Sequence, residues 1–259
     1  MSPMINIPSA QDLVRRALAS PPSWARQPLQ DWHDTLPFEK QAFVTEEHWK
    51  GMDALEVFRV VGVCHPGYVG KTWLDLLTGG QRMRQNLARL DENPDYYQPG
   101  GLRESNSGID FLTLDGLRFY VGNNGLHRTC IARFLGDLPA GVPRLLSPVE
   151  ITHYQVDYAF YGLYRRALDF IQENHLAIRL EPIRQPVGRD DGEGWKTDHF
   201  HTAIVWYDLS DRRPAKVVEL DYHHFIDRLV RLESHTLKAK LLKPLGWVGR
   251  WMRRQRGRP

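Results

Sequence analysis

The sequence predicts an α+β fold, a small mixed sheet with packed helices and helical extensions at the N- and C-terminal ends. Three observations lead there. Residues 55–64, LEVFRVVGVC, form an apolar, β-branched run that ends at Pro66-Gly67 and reads as a buried strand. Residues 109–114 and 117–121 are short strand-like segments joined by Asp115-Gly116, a strong two-residue hairpin signal. Runs with helical spacing lie between such segments, so helices and strands interleave.

Within residues 1–50, Pro3, Pro8, Pro21, Pro22, Pro28 and Pro37 forbid a long helix, and this stretch reads as a Pro-rich extension. It still has room for a helix ending at Ala19, with Ser9 as N-cap and Leu13, Val14 and Leu18 on one face. Residues 51–233 form the expected main domain. After the 55–64 strand, Lys71 to Leu90 reads as helix with a break at Gly79-Gly80, and Asp91 to Gly108 as a Pro/Gly/Asn-rich loop. The hairpin runs into GNNG and a helix from Leu126 to Leu135, stopped by Gly136 and Pro139. Val142-Pro143 leads into a strand ending near Gln155, and Tyr158 to His175 is the longest expected helix. Residues 177–183, 203–207 and 216–220 read as strands, GRDDGEG (188–194) as a polar loop, and Asp221 to Leu232 as a helix. The expected core contains Phe58, Val60, Val61, Leu112, Phe119, Val121, Ile131, Phe134 and Leu135.

Composition narrows the function classes. With 42% hydrophobic and 25% charged residues, the 259-residue chain has the balance of a folded globular protein. No apolar run approaches the ~20 residues of a membrane span. The first residues show no apolar leader, and Cys64 and Cys130 cannot build a disulfide framework or a cysteine-only metal site, so a cytoplasmic setting is expected. The net charge of +3 hides an asymmetry, because residues 234–259 hold eight Lys and Arg and no acid, leaving −5 on the rest. Leu241, Leu242, Leu245, Trp247, Val248 and Trp251 interleave with those cations. Such a tail suits DNA or an anionic membrane surface, and equally serves solubility.

The chemistry concentrates in Leu114 to Pro143, LDGLRFYVGNNGLHRTCIARFLGDLPAGVP. A strand feeds Gly122, Asn123, Asn124 and Gly125, and a helix starts at once. Gly and Asn accept the positive φ that a sharp reversal needs. The first-turn amides of the helix then point outward, and its dipole favours an anion. His127, Arg128 and Thr129 add donors at the same mouth, Arg128 with the two-pronged geometry that suits phosphate. The same junction serves equally as the capped start of a core helix.

The segment FYV-x-NNGLHR-x-C-x-ARFLG-x-LPAGVP resembles the signature of the ParB/sulfiredoxin superfamily through Asn124, Gly125, His127, Arg128, Leu135-Gly136 and Val142-Pro143. The resemblance implies a ParB/sulfiredoxin-like fold that binds ATP or another nucleoside triphosphate at Gly122, Asn123, Asn124, Gly125 and Thr129. It also implies chemistry carried by Arg128 and His127. Many members have Asp where this chain has Asn124, and sulfiredoxins have Cys where it has Leu126. No helix-turn-helix of the partition-protein branch is evident, and Cys130 reads as a packing residue. The remaining similarity is to plasmid-encoded fertility-inhibition factors, which block conjugative transfer and with whose fold ATPase and DNase activities are associated. An alternative within the same resemblance is a non-enzymatic inhibitor that docks on a conjugation component such as the coupling ATPase.

Other residues offer weaker support. Glu104 in RESNSG could activate water or hold Mg²⁺ beside the turn. His65-Pro-Gly-Tyr-Val-Gly70-Lys71-Thr72 sits in a strand-to-helix context but has His where a Walker A loop needs Gly. Lys71 with Thr72 then remains as a second wall of the nucleotide site. His199-x-His201 and His223-His224, with Asp190, Asp191, Glu193 or Asp198, match no metal motif and read as chance clustering.

Overall fold

The computed structural model describes residues 7–97, 108–138, 144–210 and 216–236. It divides into two units, Met1–Val156 with Val187–His199, and Asp157–Pro186 with Phe200–Pro259. The first unit contains helix α1 (Ala10–Ala19), strand β1 (Gln30–Asp31), one-turn helices α2 (Trp32–Thr35) and α3 (Phe38–Gln41), and strands β2 (Val44–Glu56) and β3 (Val60–Val63). Helices α4 (Trp73–Gly79) and α5 (Met83–Glu92), strands β4 (Asp110–Thr113) and β5 (Phe119–Val121), helix α6 (Leu126–Gly136) and strand β6 (Leu145–Val156) follow, and residues 187–192 and 195–199 add the parts of two further strands, β7 and β8, that lie in this unit. The second unit contains helix α7 (Tyr158–Glu173), residues 178–186 of strand β7 (Ile178–Gly192), and residues 200–208 of strand β8 (Trp195–Asp208). It ends with strand β9 (Lys216–Leu220) and helix α8 (222–236). The α+β class is as the sequence predicts.

In the first unit the strand order is β1-β3-β5-β4-β6-β2-β8-β7, the last two through residues 195–199 and 187–192. The sheet is mixed. β1 runs parallel to β3, β3 to β5 and β4 to β6, while β4–β5, β2–β6 and β2–β8 are antiparallel. Leu13, Val60, Trp73, Leu76, Phe111, Phe119, Ile131, Phe134 and Leu135 join one apolar core. Val121 is buried as expected, while Phe58, Val61 and Leu112 are only half-buried. In the second unit, Phe160 and Tyr164 of α7 lie in the core with Trp206 and Phe225, and the Phe160 and Phe225 rings are 5.8 Å apart.

Helix α6 is buried on every side except at His127. A helix enclosed all round belongs to the interior, so its polar residues are internal as well. Arg133 is 4% exposed, with its guanidinium 4.7 Å from the Trp24 ring, 5.2 Å from Phe58 and 4.6 Å from Trp73. It donates to the Val60 carbonyl at 2.5 Å and to the Val57 carbonyl at 3.4 Å. Burial holds its pKa down at about 10. This buried cation explains a departure from the expected 55–64 strand. Residues 57–59 form a 3₁₀ turn between β2 and β3, with the carbonyls of Val57 and Val60 directed at Arg133.

Three other expectations change. The Asp115-Gly116 turn is a wider loop, in which the Asp115 carboxylate accepts from the Leu117 and Arg118 amides at 2.9 and 2.8 Å. Partial burial opposes ionisation of Asp115, but the Arg118 and Leu117 bonds outweigh it and bring its pKa to about 2. Residues 188–192 of the GRDDGEG segment continue β7, paired by the Arg189–Asp198 and His199–Asp190 contacts. Strand β2 starts at Val44 and runs through residue 50, inside the stretch read as a Pro-rich extension. The Ser9 cap stands, since its hydroxyl accepts from the Asp12 amide at 3.2 Å. The face buried by α1 is Ala10, Leu13 and Ala17, while Leu18 is 57% exposed. Among the described residues, no helix is long and apolar enough to cross a membrane.

Candidate functional site

At the start of α6, β5 delivers Gly122, Asn123, Asn124 and Gly125 into a sharp turn that an unforeseen residue organises. Asp110, at the start of the adjacent strand β4, accepts from the Asn123 amide at 2.8 Å and from the Asn124 amide at 2.7 Å. Its carbonyl accepts from the Gly122 amide at 2.9 Å. Gly122 is required because a Cβ there would run into the Asp110 carboxylate. Gly125 has φ +105° and lies against Ile109, so both backbone conformation and space exclude a side chain. The Asn124 side chain donates to the Gly108 carbonyl at 2.8 Å, a bond a carboxylate at that position could not donate.

Half of the expected phosphate cradle is therefore occupied from within, because the Asn123 and Asn124 amides already hold a carboxylate. The next amides remain open. Gly125 provides no side-chain cap, the first bond of α6 runs from the Thr129 amide to the Gly125 carbonyl at 2.8 Å, and the Leu126 and His127 amides have no acceptor among the described residues. Leu126 and His127 line a cleft of about 550 Å³.

The cleft brings together Gly122, Asn123, Asn124, Gly125, His127 and Arg128. It also gathers residues that the sequence reading missed, Gln81, Arg82, Gln85, Asn86 and Arg89, together with His65 and Tyr68. Arg82, Gln85, Asn86 and Arg89 follow the i, i+3, i+4, i+7 spacing of one helical face at α5. That polar stripe, beside the buried Met83 and Leu90, was the available signal. No Asp or Glu lines the cleft among the described residues. The side chains of Arg82 and Arg89 make no ion pair or hydrogen bond among the described residues.

The individual roles differ from the simplest reading of a His-Arg pair. Arg128 is 7% exposed and donates to the Tyr96 hydroxyl at 2.8 Å and to the Gly108 carbonyl at 3.0 Å, tying the start of α6 to two other segments. His127 is half-buried, and its Nε2 accepts from the Arg82 amide at 3.4 Å and lies 3.5 Å from the Tyr68 hydroxyl. Burial, and secondarily the Arg82 charge, lower the pKa of His127, so it stands as a neutral imidazole at neutral pH. Thr129 is fully buried and its hydroxyl is outside the cleft lining. Cys130 is fully buried too, with its thiol on the Trp73 carbonyl at 3.4 Å. Glu104 lies outside the described residues, as do Val142-Pro143 and the tail from residue 237.

The Walker-like segment has no amides to offer. Gly67 donates to His65 Nδ1, Tyr68 to the His65 carbonyl, Val69 to Pro66, Gly70 to Leu29 and Lys71 to Tyr68. Thr72 donates to Asp75 in a capping box that starts α4. His65 is there as the cap of a 3₁₀ turn, Pro66–Tyr68. Lys71 does not line the cleft, and its ammonium sits 5.1 Å from the centre of the Tyr68 ring.

Mg²⁺ is held by oxygens, usually one or two carboxylates together with phosphates. The described lining offers arginines, a histidine and amides instead, and both oxygens of the neighbouring Asp110 face backbone amides. This donor set does not fit Mg²⁺. Among the described residues, no group of three or more His, Cys, Asp or Glu could hold a metal ion. Comparisons with protein-family models, curated proteins and solved structures find no match for the chain.

Proposed function

We propose that the chain binds a phosphate-bearing ligand, with a nucleoside triphosphate as the leading candidate, in the cleft at the start of α6. The carrying observation is convergence. Leu126 and His127 at the positive end of an 11-residue helix line one cavity with Arg82 and Arg89, and its described lining holds no acid. Helix dipole and guanidinium charge act in the same direction there. The ParB/sulfiredoxin resemblance at 114–143 supports the same turn as a nucleotide site, and within it the fertility-inhibition type supplies the biological role: the protein blocks conjugative transfer of a rival DNA.

The geometry favours binding over cleavage. Arg128 is already engaged, His127 is neutral and bonded, and no carboxylate of the described lining could activate water. This supports the non-enzymatic version, in which the ligand-loaded protein docks on a component of the conjugation machinery such as its coupling ATPase. Two assays test this. Donor cells expressing the wild type should transfer their plasmid poorly, and cells expressing an Arg82→Ala/Arg89→Ala variant at equal level should regain transfer. Purified wild type should leave labelled single- and double-stranded DNA intact with Mg²⁺ and ATP. Cleavage that depends on Arg128 would restore the nuclease reading.

A further inference from the structure

We propose that Asn124 is a self-modification site, whose side-chain amide becomes a carboxylate through attack by the Gly125 backbone nitrogen, with Asp110 as the brake on the reaction. The Gly125 nitrogen gives up its proton and bonds to Asn124 Cγ, ammonia leaves with the side-chain nitrogen, and a five-membered imide closes. Water then opens the imide at either carbonyl, leaving aspartate or isoaspartate in place of Asn124. Asparagine followed by glycine is the pair this chemistry favours, because the attacking residue has no Cβ to obstruct ring closure. Asn124 is exposed, so water reaches its side chain, and the Gly125 amide has no acceptor among the described residues.

The folded turn opposes that closure. Gly125 is enclosed against Ile109, so its nitrogen reaches Cγ only when the backbone around Asn124 rotates. Three hydrogen bonds resist the rotation. The Asp110 carboxylate accepts from the Asn123 amide at 2.8 Å and from the Asn124 amide at 2.7 Å, and Asn124 Nδ2 donates to the Gly108 carbonyl at 2.8 Å. The two bonds to Asp110 are charge-assisted and are the stronger ones. Reaction therefore proceeds from the locally opened turn, at a rate that follows its population. The product does not restore the original turn. A carboxylate at Asn124 has no donor for the Gly108 carbonyl, which Arg128 also holds at 3.0 Å, and it adds a second negative charge near Asp110, where like charges repel.

The test is incubation of the full chain in mildly alkaline buffer made with heavy-oxygen water, followed by peptide mapping with mass spectrometry. Heavy oxygen and isoaspartate should accumulate at Asn124, slowest in folded wild type and fastest in wild type unfolded by urea. Asp110→Ala, shown to be folded by near-UV circular dichroism, should convert about tenfold faster than folded wild type. Asp110→Asn keeps one side-chain acceptor and should fall between them, and it carries the comparison if Asp110→Ala does not fold. Equal rates in folded wild type and the folded Asp110 variants overturn the role of Asp110. No conversion at Asn124 in any sample, or aspartate without isoaspartate, overturns the site itself.

Discussion

Asp110 acts as a built-in anion, and removing it should have two opposite effects. Its carboxylate accepts from two backbone amides at 2.7 and 2.8 Å. Each such charge-assisted bond is worth roughly 1.5–3 kcal/mol, so Asp110→Ala puts ~3–6 kcal/mol at stake. Asn123 and Asn124 are exposed, and water reaching their freed amides recovers part of that. The expected net loss is about 2 kcal/mol in stability, measured by urea unfolding with linear extrapolation. The same change removes a negative charge beside the cleft and frees two donors. Pyrophosphate should therefore bind more tightly to folded Asp110→Ala than to wild type, by severalfold. Stability unchanged within ~0.5 kcal/mol would mean that Asp110 does not hold the turn. Weaker pyrophosphate binding by a folded variant would refute its description as an internal competitor.

Further expectations follow from the same geometry. Gly125→Ala, at φ +105° against Ile109, should cost at least ~2 kcal/mol by thermal or urea unfolding, because a left-handed backbone and a clash add. Arg133→Ala should cost ~3 kcal/mol, and Arg133→Met less than half of that, because Met keeps much of the packing and removes a buried charge that makes no ion pair among the described residues; equal losses in urea unfolding would contradict this. His127 has a folded pKa below the 6.5 of a free imidazole, so its contribution is level above pH 6.5. As pH falls through that value the unfolded chain binds the proton first, and stability declines until the folded pKa is passed. His127→Gln should remove that part of the decline in urea midpoints measured from pH 7.5 down to 5. Each of Arg82→Ala and Arg89→Ala should weaken tripolyphosphate binding about tenfold or more without lowering the unfolding midpoint, since both side chains are exposed and neither makes an ion pair or hydrogen bond among the described residues.

The parts of this fold that could be read from the sequence were those with local causes. Ser9 capping α1, Gly79-Gly80 separating α4 from α5, and Gly122 to Gly125 turning β5 into α6 each follow from a few adjacent residues. The strand expected at 55–64 is broken because Arg133, more than seventy positions away, draws two of its carbonyls inward. β7 extends through residues 188–192 of GRDDGEG although residues 187–194 are exposed throughout, so no alternating burial marks them as strand.

The site divides in the same way. The turn and the His127-Arg128 pair were legible, but their roles were not, because burial decides them. Arg128 became a strut, His127 a neutral acceptor and Thr129 an interior residue. The positive wall comes from α5, and only the fold shows which helix faces the turn. Asp110 stands twelve or more positions before the amides it holds, beyond the reach of local pattern reading.

The central claim is that an anion sits on the open amides of α6 between Arg82, which caps α5, and Arg89 within it. The most direct measurement is backbone and arginine side-chain NMR during pyrophosphate titration. Saturable shifts are expected at Leu126 and His127 and at the Arg82 and Arg89 guanidinium groups, with the amides of Gly67 to Thr72 unmoved. Absence of shifts at Leu126 and His127, or saturation at Gly67 to Thr72 instead, would contradict it.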